Sequence, residues 1–186
     1  QPGITSSSAR ADGLHSTSLG CISAADYVSV NGSNFGPFVL AGQAVLVKYT
    51  YYGDSDLNGQ VDFDDYVRAD AGFNAGLSGW FNGDFDCSGA IDFDDYVLID
   101  LGFNAQEGTL RRAQAFLDGS DRASHDMNVP ALAKVVEHFE RFGLGYASHF
   151  LAAVPGPTGW VGGGLAGLGG GGESRRAELE NFPLTA

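Results

Sequence analysis

Between residues 45 and 51 the hydrophobic positions have a two-residue period. Val45, Val47, Tyr49 and Tyr51 alternate with Leu46, Lys48 and Thr50, which predicts a strand. Asn31-Gly32, between Tyr27–Val30 and Phe35–Leu40, predicts a turn joining two extended runs. Residues 26–52 are therefore expected to be a short β segment, either the end of an upstream β domain or a strand lying on the helices that follow. Past residue 105 the spacing lengthens to that of helices. Leu110, Ala113, Phe116 and Leu117 share a face, with Gly119 as a stop. Leu132, Val135, Val136, Phe139 and Phe142 recur from Pro130 to Gly143, and a third short helix is expected over Tyr146–Ala153. Residues 106–153 thus read as a small helical unit. At the ends the pattern dissolves. Residues 1–25 read as a poorly ordered leader, Ser-rich at the start, and residues 154–186 as a disordered Gly-rich tail.

The middle of the chain is a repeat. GDSDLNGQVDFDDYVRADAGFNA begins at Gly53 and GDFDCSGAIDFDDYVLIDLGFNA at Gly83, a period of 30 residues with 15 of 23 positions identical. The charge is concentrated there. The chain carries 10 Lys+Arg against 23 Asp+Glu, and residues 53–105 hold 12 of those acids, all Asp, against the single base Arg68. Such a balance argues against nucleic acid as a partner and favours cations. Only 18% of residues are charged and 44% are hydrophobic, so the chain is not an acidic disordered tail.

The acids are placed at fixed intervals. Counted from Asp54, oxygen-bearing side chains fall at position 1 (Asp54), 3 (Asp56), 5 (Asn58), 9 (Asp62) and 12 (Asp65), with Gly59 at position 6. Counted from Asp84 they are Asp84, Asp86, Ser88, Asp92 and Asp95, with Gly89 at position 6. This is the spacing of the EF-hand calcium loop. Calcium takes six to eight oxygens, so alternate side chains of a short loop must turn inward and a glycine must permit the sharp bend. Position 7 offers its backbone carbonyl, here from Gln60 and Ala90, and position 12 closes the shell from the first turn of a helix. Asp64–Asp65 and Asp94–Asp95 suit a helix start, where the dipole favours negative charge. Two Ca2+ ions are expected, and Ser88 in place of Asn58 predicts a weaker second site.

A full EF-hand has a helix on both sides of its loop. Here VLVKYTYYG precedes the first loop as a strand, and GLSGWFNG before the second is too short and Gly-rich for a helix. Two loop–helix units in tandem over residues 53–105 resemble the dockerin family. The resemblance implies a mainly α fold, a dockerin-like pair of calcium loop–helix motifs with near two-fold internal symmetry. It also implies that the helix faces dock onto a cohesin-like or other surface protein. Positions 10 and 11, which often set partner choice in that family, are Phe63–Asp64 and Phe93–Asp94. Phe63 and Phe93 either reach a partner or pack with Tyr66 and Tyr96. The later helix positions Asp70 and Asp100 depart from the basic residues usual in the family. The tail, with VPGPTG, an apolar Gly-rich stretch and Arg175-Arg176, resembles a degenerate PEP-CTERM sorting signal. The whole resembles the C-terminal regions of planctomycete-type secreted proteins, which implies a secreted or cell-surface location and membrane contact only if the tail anchors.

Other chemistry finds little support. The four histidines, His15, His125, His138 and His149, form no metal-binding pair, and Glu137–His138 reads as surface charge. There is no G-x-S-x-G elbow, and the Gly tract of residues 162–172 lacks the Lys-Ser/Thr of a phosphate loop. Cys21 and Cys87 cannot make a disulfide framework and read as free thiols, with a single bridge as the alternative. The chain is therefore expected not to be an enzyme. The first function expected is calcium-dependent attachment of a secreted protein. The alternatives are a calcium-rigidified spacer and the non-catalytic end of a polysaccharide-active enzyme.

Overall fold

The computed structural model describes residues 4–40, 43–123 and 126–154. Among these the protein is mainly helical, with six α-helices and two two-stranded antiparallel ladders. The elements run α1 (Ser7–Ala11), β1 (Thr17–Ser23), α2 (Ala24–Asn31), β2 (Asn34–Phe35), β3 (Phe38–Val39), β4 (Val45–Tyr51), α3 (Phe63–Ala75), α4 (Phe93–Glu107), α5 (Leu110–Leu117) and α6 (Pro130–Ala153). A 3-10 turn, Trp80–Asn82, stands between α3 and the second loop. The expected disorder and sorting signal of the Gly-rich tail lie outside the described residues, Val154 apart.

The strand expected over 45–51 forms as β4, but its partner comes from the stretch expected to be a loose leader. β1 pairs with β4 from Thr17↔Tyr51 to Ser23↔Val45. Asp12 fixes the approach to β1, accepting hydrogen bonds from the Ser16 amide and hydroxyl and the Thr17 hydroxyl. Residues 27–30, expected to be extended, lie in α2. The Ser23 hydroxyl caps that helix by accepting from the Asp26 amide, and Gly32 ends it at φ 81°. Local capping outweighs the β preference of Tyr27, Val28 and Val30. The chain then reverses through the two-residue strands β2 and β3.

The repeat is realised as a pseudo-two-fold pair. Asp62 and Asp92 are the N-caps of α3 and α4, and each forms a capping box with Asp65 or Asp95. The helices exchange equivalent contacts. The Tyr66 hydroxyl of α3 donates to Asp100 of α4 at 2.5 Å, and the Tyr96 hydroxyl of α4 donates to Asp70 of α3 at 2.6 Å. Gly72 and Gly102 mark the closest approaches. A Cβ there would lie 2.2 Å from the Asn82 carbonyl oxygen and 2.1 Å from that of Tyr52, residues again 30 apart. One core, with Ile22, Leu46, Leu57, Val61, Tyr66, Trp80, Phe85, Tyr96 and Ile99, joins the β1–β4 ladder to both loops.

The helices expected from 106 onward form, with α6 interrupted at Gly143 (φ 69°, ψ −148°). They are not a separate unit from the repeat. α4 runs to Glu107, past the expected boundary at 105, and its Val97 and Leu101 share a second core with α5 and α6. His138, expected on the surface, is 1% exposed, and its Nδ1 lies 2.5 Å from Asp100. Asp100 also accepts from the Tyr146 hydroxyl at 2.6 Å. A buried carboxylate requires such partners, and α6 supplies two of the three.

Candidate metal centres

Each loop is organised by backbone N–H groups donating to its own side chains. In loop 1 the Asn58 amide donates to Asp56 Oδ1 (2.9 Å), Gly59 to Asp54 Oδ2 (2.9 Å) and Gln60 to Asn58 Oδ1 (2.7 Å). In loop 2 Ser88 donates to Asp86 Oδ1 (2.8 Å), Gly89 to Asp84 Oδ2 (3.2 Å) and Ala90 to Ser88 Oγ (3.4 Å). Gly59 and Gly89 have φ of 103° and 95°, a backbone region that favours glycine and matches the bend required at position 6. Position 12 is held from both sides in each loop. Asp65 accepts from the amides of Ser55 and Asp62, and Asp95 from those of Phe85 and Asp92.

These contacts gather three carboxylates per loop. Oxygens of Asp54, Asp56 and Asp65 lie within 4.8 Å of one another, and so do those of Asp84, Asp86 and Asp95. They are positions 1, 3 and 12. The position 9 residues, Asp62 and Asp92, turn to their helix ends, where Asp62 accepts from the Asp64 amide and Asp92 from the Asp94 amide. An EF-hand position 9 often acts through water, so this placement is compatible with the spacing. Gln60 and Ala90 are exposed at position 7, as are Asn58 and Ser88 at position 5.

One feature points to a cation at each cluster. Among the described residues, the buried side-chain oxygens without a hydrogen-bond partner are Asp54 Oδ1 and Asp84 Oδ1. Both belong to position 1. Asp54 is fully buried and Asp84 is 3% exposed. An unpartnered buried carboxylate oxygen is costly, and a hard cation would satisfy it. The acids also crowd one another. Burial lifts the Asp54 carboxyl to about 6 against hydrogen bonds from Thr50 and Gly59, with Asp56 adding repulsion. Burial likewise lifts Asp65 to about 7 and Asp95 to about 6. The residues therefore fit calcium in donor type, spacing and unmet need. When bound, the ion would neutralise the acids and tie each loop to its helix.

The expected contact residues divide between the two repeats. Phe63 is 69% exposed and Asp64 is exposed. Phe93 instead packs against Phe142 and His149 of α6, with ring centres 6.4 and 5.1 Å away, and Asp94 meets His149 Nδ1 at 2.6 Å. Val67 is 48% exposed where its counterpart Val97 is 3% exposed. α6 thus covers on α4 the face that α3 leaves open.

Two supporting residues carry no signal in the sequence. The Gln106 side chain accepts from the Val61 amide and donates to the Val61 carbonyl, holding position 8 of loop 1. The Trp80 indole donates to the Asp54 carbonyl at 2.7 Å. Neither belongs to the duplicated pattern, so no spacing signals them. Cys21 and Cys87 are unbridged and exposed. No helix of the described residues is long and apolar enough to cross a membrane. Comparison with protein-family models, curated proteins and solved structures finds no match.

Proposed function

We propose that residues 53–105 are a paired calcium loop–helix module that binds two Ca2+ ions. The observation that carries this reading is the duplicate placement of Asp54 and Asp84. Each puts an unpartnered buried oxygen into a three-carboxylate cluster at EF-hand spacing. More particularly, we propose a dockerin-like role, the calcium-dependent attachment of a secreted or cell-surface protein to a cohesin-like or other surface partner. The chain is then a binding protein and not an enzyme. Calcium orders α3, and the exposed positions Phe63, Asp64 and Val67 offer the contact. Phe93 and Asp94, held by α6, leave the contact to the first repeat. The test is retention on a surface-protein partner in calcium against chelator, with Val67→Asp as the control. Retention only with calcium, lost in that variant, supports attachment. The packing of α6 on α4 favours a second reading, a spacer that calcium rigidifies, and absence of a retained partner with or without calcium would leave that reading standing.

A further inference from the structure

The two loops match in sequence but differ in their cationic neighbours. Arg68, at position 15 of the first repeat, turns back to its own loop. Its guanidinium lies 3.5 Å from Asp56 and 3.6 Å from Asp65, the carboxylates of positions 3 and 12, and 3.3 Å from the Ser55 hydroxyl. Phe81 supports it from beneath, with its ring centre 5.4 Å from the guanidinium carbon. Lys48 of β4 adds a second charge, donating to the Leu57 carbonyl at 2.7 Å. In the second repeat the residue at position 15 is Leu98. No Lys or Arg pairs with loop 2 among the described residues, and His149 meets Asp94, which is not a ligand position.

Each cluster contains a buried, unpartnered position 1 oxygen, so each calls for a cation. Loop 1 has Arg68 against two of its acids and Lys48 on its Leu57 carbonyl, whereas among the described residues no Lys or Arg pairs with an acid of loop 2. A guanidinium beside two carboxylates that calcium would need competes for them and repels the ion itself. We infer that Arg68 is a built-in competitor of calcium at loop 1, so that loop 2 fills first although Ser88 replaces Asn58 there. This rests on the calcium reading of both loops and adds an order of filling that the repeat itself does not contain. It also gives loop 1 a graded response. The loop that leads into α3, which carries the exposed face, fills only when calcium is high enough to displace Arg68.

Calorimetric titration of the full chain with calcium tests this, with circular dichroism in calcium confirming that each variant folds. The wild type should show two steps. Asp86→Asn should remove or weaken the tighter one and Asp56→Asn the weaker one. Arg68→Leu, which installs the residue of the second repeat, should tighten the loop 1 step about tenfold, equivalent to ~1.4 kcal/mol, and leave the loop 2 step unchanged. Arg68→Gln should act in the same direction, and Arg68→Lys should stay near the wild type. Two ions bound with an unaltered or weakened loop 1 step in both Arg68→Leu and Arg68→Gln would overturn the role of Arg68. So would assignment of the tighter step to loop 1. Absence of binding in the wild type at millimolar calcium would overturn the calcium reading itself.

Discussion

At the scale of single residues, the buried carboxylates of Asp54, Asp65, Asp84 and Asp95 are held away from water in the two loops. Asp54→Ala should reduce calcium stoichiometry from two ions to one and leave α3 unformed at low calcium, and unchanged stoichiometry in calorimetry would contradict it. The same acids set a pH dependence. Burial raises Asp54 and Asp95 to about 6 and Asp65 to about 7, so without the ion the folded protein binds these protons more tightly than the unfolded chain, where carboxyls titrate near 4. Their contribution to stability is full below pH ~4 and is lost as pH rises through 6 to 7. Calcium-stripped protein should therefore melt about 3 °C or more higher at pH 5 than at pH 7.5, and saturating calcium should reverse that order because the ion must displace the protons. A stripped protein that is more stable at pH 7.5 would contradict this. Asp100 gives the clearest contrast with its counterpart in the repeat. It is fully buried and meets Tyr66, Tyr146 and His138, while the partly exposed Asp70 meets Tyr96 and Arg141. Asp100→Ala should cost about 3 kcal/mol or more in urea denaturation by stranding buried donors, and Asp70→Ala about 1 kcal/mol.

At the scale of elements, what was legible in the sequence follows from which forces are local. The loops and α3 and α4 were readable because their candidate ligands, glycine and acidic helix start all fall within one short stretch. β4 was readable from its alternation. β1 was not, since Leu19 and Ile22 sit among Ser, Thr and Gly and gain their meaning from strand pairing with Tyr49 and Leu46. α2 was missed because its cap, Ser23, lies at the end of that unrecognised strand. His138 was misplaced because a helix pattern shows its face but not the buried Asp100 that receives it. Gln106 was invisible for the same reason, and its replacement by Ala should cost about 1 to 2 kcal/mol, measured by urea denaturation, by leaving the Val61 backbone unpaired. Glycines in helices divide equally sharply. Gly102→Ala would push a methyl group against the Tyr52 carbonyl and should be strongly destabilising. Gly145→Ala meets nothing within 4 Å and should stabilise α6 by roughly 0.5 to 1 kcal/mol through helix propensity.

At the scale of the whole molecule, two kinds of order meet in α4. The repeat makes it the twin of α3, while the second core makes it the partner of α5 and α6. The sequence carries the first relation as identity at a 30-residue period, and only the fold carries the second. The consequence is an asymmetric product of a symmetric sequence, with one helix face sealed by α6 and the other open around Phe63 and Val67. Calcium is the agent that would join these parts, because both loops lie on the core that links the β1–β4 ladder to α3 and α4. Ligand binding to the folded state alone adds about 2.7 kcal/mol at a hundredfold excess over the dissociation constant, so each filled loop would stabilise that junction substantially. The most direct test is calorimetric titration of the chelator-stripped protein with calcium, with circular dichroism read in parallel. Two ions should bind per chain with a gain of helix, and absence of binding at millimolar calcium would contradict the calcium reading of both loops.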